Sequence, residues 1–348
     1  MEAEINIVHC PVDGVGKWLS ESFLLDKGRI FVVCDRNVRW LVEKTGIEDA
    51  NVFEIEATEQ GKTLDTILEI DRWLMENGAD RNSFVLGIGG GITTDMVGFA
   101  ASVYKRGVRF GFIPTTLLSQ VDAAIGGKNG VNLDSYKNMI GVFRQPGVTF
   151  ICPEPLETLP YPQLVSGAAE LLKTFIINND GGLYHKTVEL LSRIHVKPTI
   201  PFKDYSEELN ELVAAAANVK AGIAGHDPEE HGERRLLNLG HTFAHAIEKL
   251  SWESISHGNA VAMGIILAAR LAAKAGMTEG YLEKTLTRDF TACGLPVECP
   301  FSVKDMTEAM RKDKKADGGK IHFVIPLGIG NVETKAFTPE EVVRLLED

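Results

Sequence analysis

The first half of the chain alternates short apolar, β-branched runs with longer amphipathic stretches. The runs at 29–34, 52–56 and 83–88 predict strands, and the stretches at 37–45 and 63–77 predict helices. Short strands separated by helices of this length are typical of βαβ units on a parallel sheet. The pattern therefore predicts an α/β domain with a parallel sheet in the first half of the chain.

The second half has a different pattern. From about Pro162 onward, β-branched runs become rare, and Ala, Leu, Glu and Lys dominate stretches such as 207–222 and 260–276, which predicts mostly helices. Four prolines lie between Pro153 and Pro162, where they remove amide donors and stop helices. The 348 residues also exceed the about 250–300 at which one hydrophobic core stops growing. We therefore expect two domains, 1–160 and 161–348.

Charge and composition restrict the partners. The chain has 36 Lys and Arg against 48 Asp and Glu, a net charge of -12, so it is a poor general binder of nucleic acid or anionic membrane.

The longest nearly apolar stretch, 260–273, contains Arg270 and is shorter than the about 20 residues of a membrane span. The first residues do not resemble a secretory signal, and five cysteines without a CxxC pair favour reduced thiols. We expect a cytoplasmic protein.

A glycine-rich segment follows the third predicted strand. The run 83–88 leads into Gly89–Asp95 and then a helical stretch, which places backbone amides and a helix N-terminus where a diphosphate can bind. The spacing does not match GxGxxG, because Ile92 occupies the last glycine position, so a tight turn is an equal alternative. Asp35 ends an earlier strand, where a carboxylate could meet a ribose hydroxyl, although a lone Asp there is more often a turn former.

A basic window lies between Ala101 and Gln145. Its six basic residues stand against two acidic ones, Asp122 and Asp134, within an acidic chain. The window is therefore a candidate phosphate or carboxylate pocket, with a solvated loop as the alternative. The six are Lys105, Arg106, Arg109, Lys128, Lys137 and Arg144.

Histidines and carboxylates form a further candidate site. His241 and His245 are four residues apart and share one face of a predicted helix, and Glu248 joins that face. Glu170 and Lys173 share a face of another, mostly apolar helix, where an unpartnered charge is costly. Two imidazoles and one carboxylate suit a catalytic zinc ion. Two core histidines are an equal alternative, and the spacing does not choose the carboxylate.

Six motifs occur in order over most of the chain: Gly89–Asp95, Pro114–Asp122, Gly126–Lys128, Lys137–Gly141, Glu170–Lys173 and Asn238–His245. Taken together, they resemble those of the 3-dehydroquinate synthases. This resemblance implies a Rossmann-like NAD-binding domain followed by a mainly α-helical metal-binding domain, an active site in the cleft between them, and a homodimer. Thr93-Thr94 and Thr174-Phe175 differ from the residues most common at these positions in the family, but the charged positions are unchanged.

The resemblance also implies a role for individual positions. The ligands of a divalent metal, Zn2+ or Co2+, would be Glu170, His241 and His257, so His245 would contact substrate and transfer protons instead. Residues placed at the reacting substrate would be Lys128, Asn138, Lys173, His245 and, from the partner subunit, Arg106. Further substrate contacts would be Asp122, Lys220, Arg234, Asn238 and Lys314 or Lys315. NAD would contact Asp35, Asn37, Glu59, Lys62, Gly90, Gly91, Asp95, Thr115, Thr116, Lys137 and Thr158.

The implied activity is the conversion of 3-deoxy-D-arabino-heptulosonate 7-phosphate to 3-dehydroquinate and phosphate in the shikimate pathway. It would proceed by transient oxidation with NAD, phosphate elimination, reduction and intramolecular aldol closure. One alternative is a related cyclase, acting on sedoheptulose 7-phosphate or forming an inosose. A second is a metal- and NAD-dependent polyol dehydrogenase such as glycerol dehydrogenase. A metal-binding scaffold protein has little support, because a scaffold needs no buried basic pocket.

Overall fold

A computed structural model describes residues 5–23, 29–47, 51–134, 136–252, 254–313 and 319–347. It contains two compact units. The first comprises Met1–Pro160 and Val213–Glu229, and the second comprises Tyr161–Leu212 and Glu230–Asp348. The division of the chain into domains 1–160 and 161–348 stays a prediction, to which the structure adds the membership of residues 213–229 in the first unit.

Among its described residues, the first unit has eight strands. They are β1 (Ile7–His9), β2 (Ile30–Asp35), β3 (Asn51–Ile55), β4 (Phe84–Gly89), β5 (Arg109–Pro114), β6 (Lys128–Leu133), β7 (Tyr136–Phe143) and β8 (Val148–Ile151). Six of them form one sheet in the order β1-β8-β5-β4-β2-β3, and every neighbouring pair is parallel. Strands β6 and β7 form a separate antiparallel ribbon. The predicted α/β fold with a parallel sheet is confirmed.

Helices cover both faces of this sheet. They are α1 (Val15–Phe23), α2 (Arg39–Lys44), α3 (Leu64–Glu76), α4 (Gly91–Val103) and the short α5 (Glu154–Glu157). Phe31 and Val33 of β2 join the core cluster that contains α3 and α4 residues, whereas Ile30 and Val32 join the cluster that contains α1 and α2 residues. A strand buried on both faces reads as a continuous apolar run, which is why 29–34 was recognisable in the sequence.

The second unit is mainly helical, as predicted. Its helices are α6 (Tyr161–Ile177), α7 (Leu183–Val196), the start of α8 (Ser206–His226), α9 (His241–Leu250), α10 (His257–Lys274), α11 (Tyr281–Ala292), α12 (Val303–Asp313) and α13 (Pro339–Glu347). Strands β9 (Ile321–Gly328) and β10 (Asn331–Phe337) form an antiparallel hairpin. From Val213 onward, α8 belongs to the first unit. Among the helices that the structure describes, none combines the length and the apolar character needed for a membrane span.

Helix α10 begins in close contact with α6. A Cβ atom on Gly258 would lie 1.8 Å from the carbonyl oxygen of Ser166, and the Gly258 amide donates to Ser166 Oγ at 3.2 Å. Only a residue without a side chain permits this approach. Because Glu170 follows Ser166 by one helical turn and His257 precedes Gly258, the contact brings these two side chains together.

Candidate functional site

Three side chains with metal-ligating atoms converge in the second unit. Glu170 lies in the buried part of α6, and His241 and His257 are the first residues of α9 and α10. Nε2 of His257 lies 3.1 Å from Oε1 of Glu170, and Nε2 of His241 lies 3.6 Å from the same oxygen. One ligand atom from each residue lies within 4.8 Å of the other two. The structure thus brings together the three residues that the resemblance implied as ligands.

The second nitrogen of each ring also has a partner. Nδ1 of His241 lies 3.1 Å from the carbonyl oxygen of Leu239, which can only accept, so the proton is on Nδ1 and the lone pair is on Nε2. Nδ1 of His257 lies 3.5 Å from Oε1 of Glu248. Metal-binding histidines are oriented in this way by the group that contacts their other nitrogen. Two imidazole nitrogens and a carboxylate oxygen therefore fit a divalent cation such as Zn2+ or Co2+.

Lys173 adds a buried ammonium group to this cluster. Its Nζ lies 2.6 Å from Oε2 of Glu170, and both side chains are buried. Burial alone would raise the pKa of Glu170, but the Lys173 ammonium and the two imidazoles hold that pKa well below its usual range. Glu170 is therefore an ionised carboxylate despite its burial.

The two candidate histidine ligands differ in charge. Burial, assisted by the Lys173 ammonium, lowers the pKa of His241 to about 3, so this ring is neutral. Burial also acts to lower the pKa of His257, but its hydrogen bonds to the Glu170 and Glu248 carboxylates outweigh that effect and raise the pKa to about 10. Without a metal ion, His257 therefore holds a proton at neutral pH.

His245 is not part of the ligand set. Its ring lies edge-on to that of His241, with the ring centroids 5.7 Å apart, and the residue is exposed. The pairing of His241 with His245 suggested by their spacing is therefore not the imidazole pair that the structure assembles. The second imidazole of the ligand set, beside His241, is that of His257 on a different helix.

The predicted glycine turn joins β4 to α4. Strand β4 ends at Gly89, Gly90 caps the helix without a side chain, and α4 begins at Gly91. A Cβ atom on Gly89 would lie 2.3 Å from Oγ1 of Thr93, and one on Gly90 would lie 3.1 Å from Cγ2 of Thr116. The turn therefore offers bare backbone amides at the start of a helix, which suits a diphosphate.

Further predicted nucleotide contacts surround this turn. Oδ1 of Asp35 accepts hydrogen bonds from the amide and the side chain of Asn37, at 3.0 and 3.1 Å. The amide of Thr115 donates to the carbonyl of Gly89 at 2.9 Å. Because β2, β4 and β5 are neighbouring parallel strands, these residues lie at one carboxyl edge of the sheet, where nucleotides bind in folds of this kind.

A buried lysine connects the helix after the turn to the ribbon. Nζ of Lys62 lies 2.5 Å from Oδ2 of Asp95 on α4 and 2.5 Å from Oδ1 of Asn138 on β7. Burial raises the pKa of Asp95, and Lys62 opposes that shift. Asn138 has a left-handed backbone, with φ at 53°. Three predicted site residues thus meet in one polar network.

Asn132 is a member of this network that the sequence reasoning missed. Its Oδ1 accepts from the Asn138 amide at 2.9 Å, its Nδ2 donates to Oε1 of Glu59 at 2.8 Å, and its own amide donates to the Lys62 carbonyl at 2.9 Å. No motif marks this residue. Its role follows only from the pairing of β6 with β7.

The two cations expected to hold a substrate carboxylate are both buried, with 7% of Lys220 and 2% of Arg234 exposed. Nζ of Lys220 lies 2.6 Å from Oδ1 of Asp122 and 2.6 Å from its carbonyl oxygen. Their burial excludes a pair of ordinary surface ion pairs.

Glu230 is a second residue that the sequence reasoning did not select. Its Oε1 accepts from Nδ2 of Asn238 at 2.5 Å, and its backbone is left-handed, with φ at 62°. It lies in the acidic loop before Arg234, where nothing in the spacing separates it from its neighbours.

The basic window does not form one pocket. Lys105 donates to the Ala79 carbonyl at 2.7 Å, and Arg109 donates to the Asn82 carbonyl at 3.1 Å. Arg144 donates to the carbonyls of Ala101 and Val108, at 3.1 and 2.9 Å. These three cations hold backbone segments of the first unit together, so the prediction of a single pocket was wrong for them.

The other predicted positions lie in several settings. Arg106 is exposed and left-handed, with φ at 66°, and Lys128 is the exposed first residue of β6. Lys137 lies on β7, and Thr158 is exposed at the end of α5. Lys314 and Lys315 lie outside the described residues.

Comparisons with known proteins give a consistent result. Residues 52–166 match a family model described as 3-dehydroquinate synthase N-terminal, and residues 167–316 match one described as 3-dehydroquinate synthase C-terminal. A 3-dehydroquinate synthase of Pyrococcus abyssi is 39% identical over 345 residues, which cover 98% of each chain. One from Thermococcus kodakarensis is 41% identical over 88% of this chain and 84% of its own length.

Solved structures share the whole fold. The 2-epi-5-epi-valiolone synthase of Streptomyces hygroscopicus, solved with NAD+ and Zn2+ bound, is 28% identical, has a TM-score of 0.85, and is matched over 100% of this chain and 97% of its own. A probable glycerol dehydrogenase of Sinorhizobium meliloti, at 18% identity and a TM-score of 0.66, covers 100% of this chain and 97% of its own. The similarity to the glycerol dehydrogenase shows a shared fold and nothing more.

Proposed function

This chain belongs to the 3-dehydroquinate synthase family, and from that premise we propose that it converts 3-deoxy-D-arabino-heptulosonate 7-phosphate to 3-dehydroquinate and phosphate. It is an enzyme of the carbon–oxygen lyase class that eliminates phosphate and closes a ring, placed by this reaction in the shikimate pathway. The observation that carries the proposal is the convergence of Glu170, His241 and His257 within a chain that the family models match from 52 to 316.

The proposal includes NAD and one divalent metal ion, Zn2+ or Co2+. When bound, NAD supplies hydride transfer and the metal supplies a Lewis acid that polarises a secondary alcohol. Glu170, His241 and His257 would hold the metal, and the amides of Gly90 and Gly91 would hold the diphosphate of NAD. The neutral ring of His241 and the ionised carboxylate of Glu170 support this assignment, because ligands must be deprotonated.

The remaining proposed NAD contacts come from the carboxyl edge of the sheet and the polar network beside it. Asp35 is aimed by its contacts with Asn37 and would accept from a ribose hydroxyl. The other contacts would be Glu59, Lys62, Asp95, Thr115, Thr116, Lys137 and Thr158. Within this set, Lys62 would fix the position of Asp95, which it contacts at 2.5 Å.

Lys173 and His245 are the proposed groups nearest the metal centre that act on substrate. Lys173 is charged and buried against Glu170, so it can donate to a substrate oxygen without a cost of desolvation at that moment. His245 is exposed one helical turn after His241, so its ring can exchange protons with substrate or water. Asn138 and Asn238 would orient substrate hydroxyls through their amide groups.

We propose that Lys128 and Arg106 bind the phosphate group, whose departure leaves negative charge that cations stabilise. The substrate's carboxylate would contact Lys220 and Arg234, with Asp122 holding Lys220 in place at 2.6 Å. Buried cations in a chain of net charge -12 support a dedicated anion site. Lys314 or Lys315 remains a proposed further contact.

We further propose a homodimer in which Arg106 acts in the partner's site. The ribbon of β6 and β7 supports it, because Tyr136, Met139 and Phe143 are 57%, 62% and 58% exposed. Large apolar side chains exposed together are typical of protein interfaces.

The proposed location is the cytoplasm. All five cysteines are free thiols, which supports a reducing compartment, where disulfides are rare.

The decisive experiment measures phosphate release from 3-deoxy-D-arabino-heptulosonate 7-phosphate. We expect release only with both NAD and a divalent metal, no net accumulation of NADH, and loss of activity in His257→Ala. His185→Ala, which changes an exposed histidine of α7, is the matched control and should keep full activity.

Other outcomes identify the alternatives. Efficient cyclisation of sedoheptulose 7-phosphate in place of the heptulosonate would assign a different cyclase. Stoichiometric NADH formation with a polyol and no phosphate release would assign a dehydrogenase. Full activity after exhaustive removal of metal would reject the ligand set.

A further inference from the structure

Two carboxylates lie on opposite sides of the His257 ring. Oε1 of Glu170 lies 3.1 Å from Nε2, and Oε1 of Glu248 lies 3.5 Å from Nδ1. Glu170 and Glu248 come from different helices, α6 and α9, and both are buried, with 0% and 6% of their surfaces exposed. His257 is thus held between two buried acids, of which only Glu170 belongs to the group that can ligate a metal.

The position of Glu248 on α9 explains how it reaches this ring. It follows His241 by seven residues, or about two helical turns, so both side chains project from one face of the helix. One helix therefore supplies a ligand, His241, and the group that contacts the other ligand ring, His257. Burying a carboxylate here is costly unless a group of opposite charge or a hydrogen-bond donor contacts it.

We propose that Glu248 is a positioning residue for the metal centre, which accepts a hydrogen bond from Nδ1 of His257 and fixes Nε2 towards the ion. The inference rests on the proposed ligand set Glu170, His241 and His257. In that arrangement, the Glu248 carboxylate sets the rotation of the ring and increases the electron donation of Nε2. Loss of such a partner typically weakens metal binding by about 10- to 100-fold.

His241 provides an internal comparison. Its Nδ1 contacts the Leu239 carbonyl, a neutral backbone group, whereas His257 contacts a full negative charge. The two ligand rings therefore differ in their support, and only the support of His257 can be removed by changing a side chain. This asymmetry makes the role of Glu248 testable separately from the rest of the site.

The test measures Co2+ binding to the full-length protein and its variants, by competition with a chelator and by the visible absorption spectrum of the bound ion. Glu248→Ala should bind Co2+ about 10- to 100-fold more weakly, with altered absorption bands, because the ring loses its orientation. Glu248→Gln should give an intermediate affinity and a spectrum near that of the wild type, because its amide oxygen can still accept from Nδ1 but carries no charge.

Glu283→Gln is the matched control. Glu283 contacts Arg270 on the same helix as His257, at 2.7 Å, so this variant removes a carboxylate partner of α10 at a distant position. It should leave Co2+ affinity and spectrum unchanged. A role of Glu248 in folding alone would change the melting temperature of the variants without changing the spectrum of the bound ion, and that result would overturn the proposal.

Two further arms separate this inference from the proposed function. If the wild-type protein binds no Co2+, or if His257→Ala binds it as the wild type does, the ligand set itself is rejected. If His257→Ala loses binding but both Glu248 variants keep wild-type affinity and spectrum, only the role of Glu248 is rejected.

Discussion

At the scale of single residues, the metal centre has an uneven distribution of protons. Glu170 is ionised, His241 is neutral with a pKa of about 3, and the pKa of His257 is raised to about 10. Between about pH 6 and about pH 9, only His257 must therefore lose a proton before a metal ion can bind. The site thus couples metal binding to one titration.

We predict that metal binding releases close to one proton in this range. Because the pKa of His257 is raised, protonation competes with the metal more strongly as the pH falls, and apparent affinity should fall about tenfold for each pH unit. Calorimetry of Zn2+ binding in buffers of different ionisation enthalpy measures the number of protons. A value near zero or near two would contradict the assigned protonation states.

A second prediction at this scale concerns Arg234. Its guanidinium is buried, so truncation to Ala should leave the substrate's carboxylate without a charged partner, at a cost of about 2–5 kcal/mol, or about 30-fold to several-thousand-fold in kcat/KM. Lys220→Met should act in the same direction. Arg193→Ala, which removes an exposed ion pair with Glu208, is the control. Its effect on kcat/KM should correspond to under about 1 kcal/mol. Indifference of the heptulosonate reaction to both buried substitutions would reject the carboxylate site.

At the scale of elements, the centre depends on how closely α10 approaches α6. Gly258 has no room for a methyl group, because the Ser166 carbonyl would lie 1.8 Å from it. A side chain there must push the start of α10 away, and His257 moves with it. The geometry of the ligand set is therefore a consequence of helix packing.

Gly258→Ala is predicted to lower stability and metal affinity together. Overpacking of this kind costs about 1–3 kcal/mol, and the displacement should separate His257 from Glu170. Thermal unfolding and Co2+ titration are the measurements. Gly222→Ala on α8, where a Cβ atom meets nothing within 4 Å, should leave the melting temperature unchanged or higher. Wild-type metal affinity in folded Gly258→Ala would show that the close contact does not position the site.

At the scale of the whole molecule, the proposed dimer makes each site depend on two chains. Val103 at the end of α4 is 43% exposed, and Arg106 follows it by three residues in a left-handed turn. Arg144 fixes both sides of this turn through the carbonyls of Ala101 and Val108. These contacts hold the turn rigidly. A residue that acts in the site of another subunit requires such support.

Subunit complementation tests this arrangement. Homodimers of Arg106→Ala and of Lys128→Ala should each be nearly inactive. After verified subunit exchange, mixed dimers should regain activity, because both defects fall in one site and the other site is intact. If exchange occurs and no activity returns, Arg106 acts within its own chain or has another role. Exchange of wild-type subunits with each variant provides the control.

Much of the fold was predictable because it follows from local patterns. Residues 29–34 form a strand buried on both faces, and 63–77 contain an amphipathic helix capped by Thr63, whose Oγ1 accepts from the Thr66 amide. The glycine turn was also visible, because a strand, small residues and a helix follow one another in the chain. These features depend on neighbours within a few residues, which the sequence lists in order.

The composition of the site depended on contacts that periodicity does not encode. Spacing along α9 placed His241, His245 and Glu248 on one face, but it could not separate a ligand from a neighbour of a ligand. Glu170 was a candidate from its place on an apolar helix, but only the family resemblance implied that Glu170 and His257 are ligands together with His241. The packing of α6, α9 and α10 brings their atoms within reach of His241. The same limit applies to Asn132 and Glu230, whose partners are set by chain pairing and loop conformation.

The sequence by itself thus determined the βαβ pattern, the helical second half and the residue types available for chemistry, since these depend on local propensity and composition. Only the tertiary structure decided that Glu248 contacts the Nδ1 side of His257, that Arg144 and Lys105 hold backbone carbonyls, and that residues 213–229 belong to the first unit. The physical reason is that helical and strand periods fix directions within an element, whereas contacts between distant elements depend on side-chain volume and close packing.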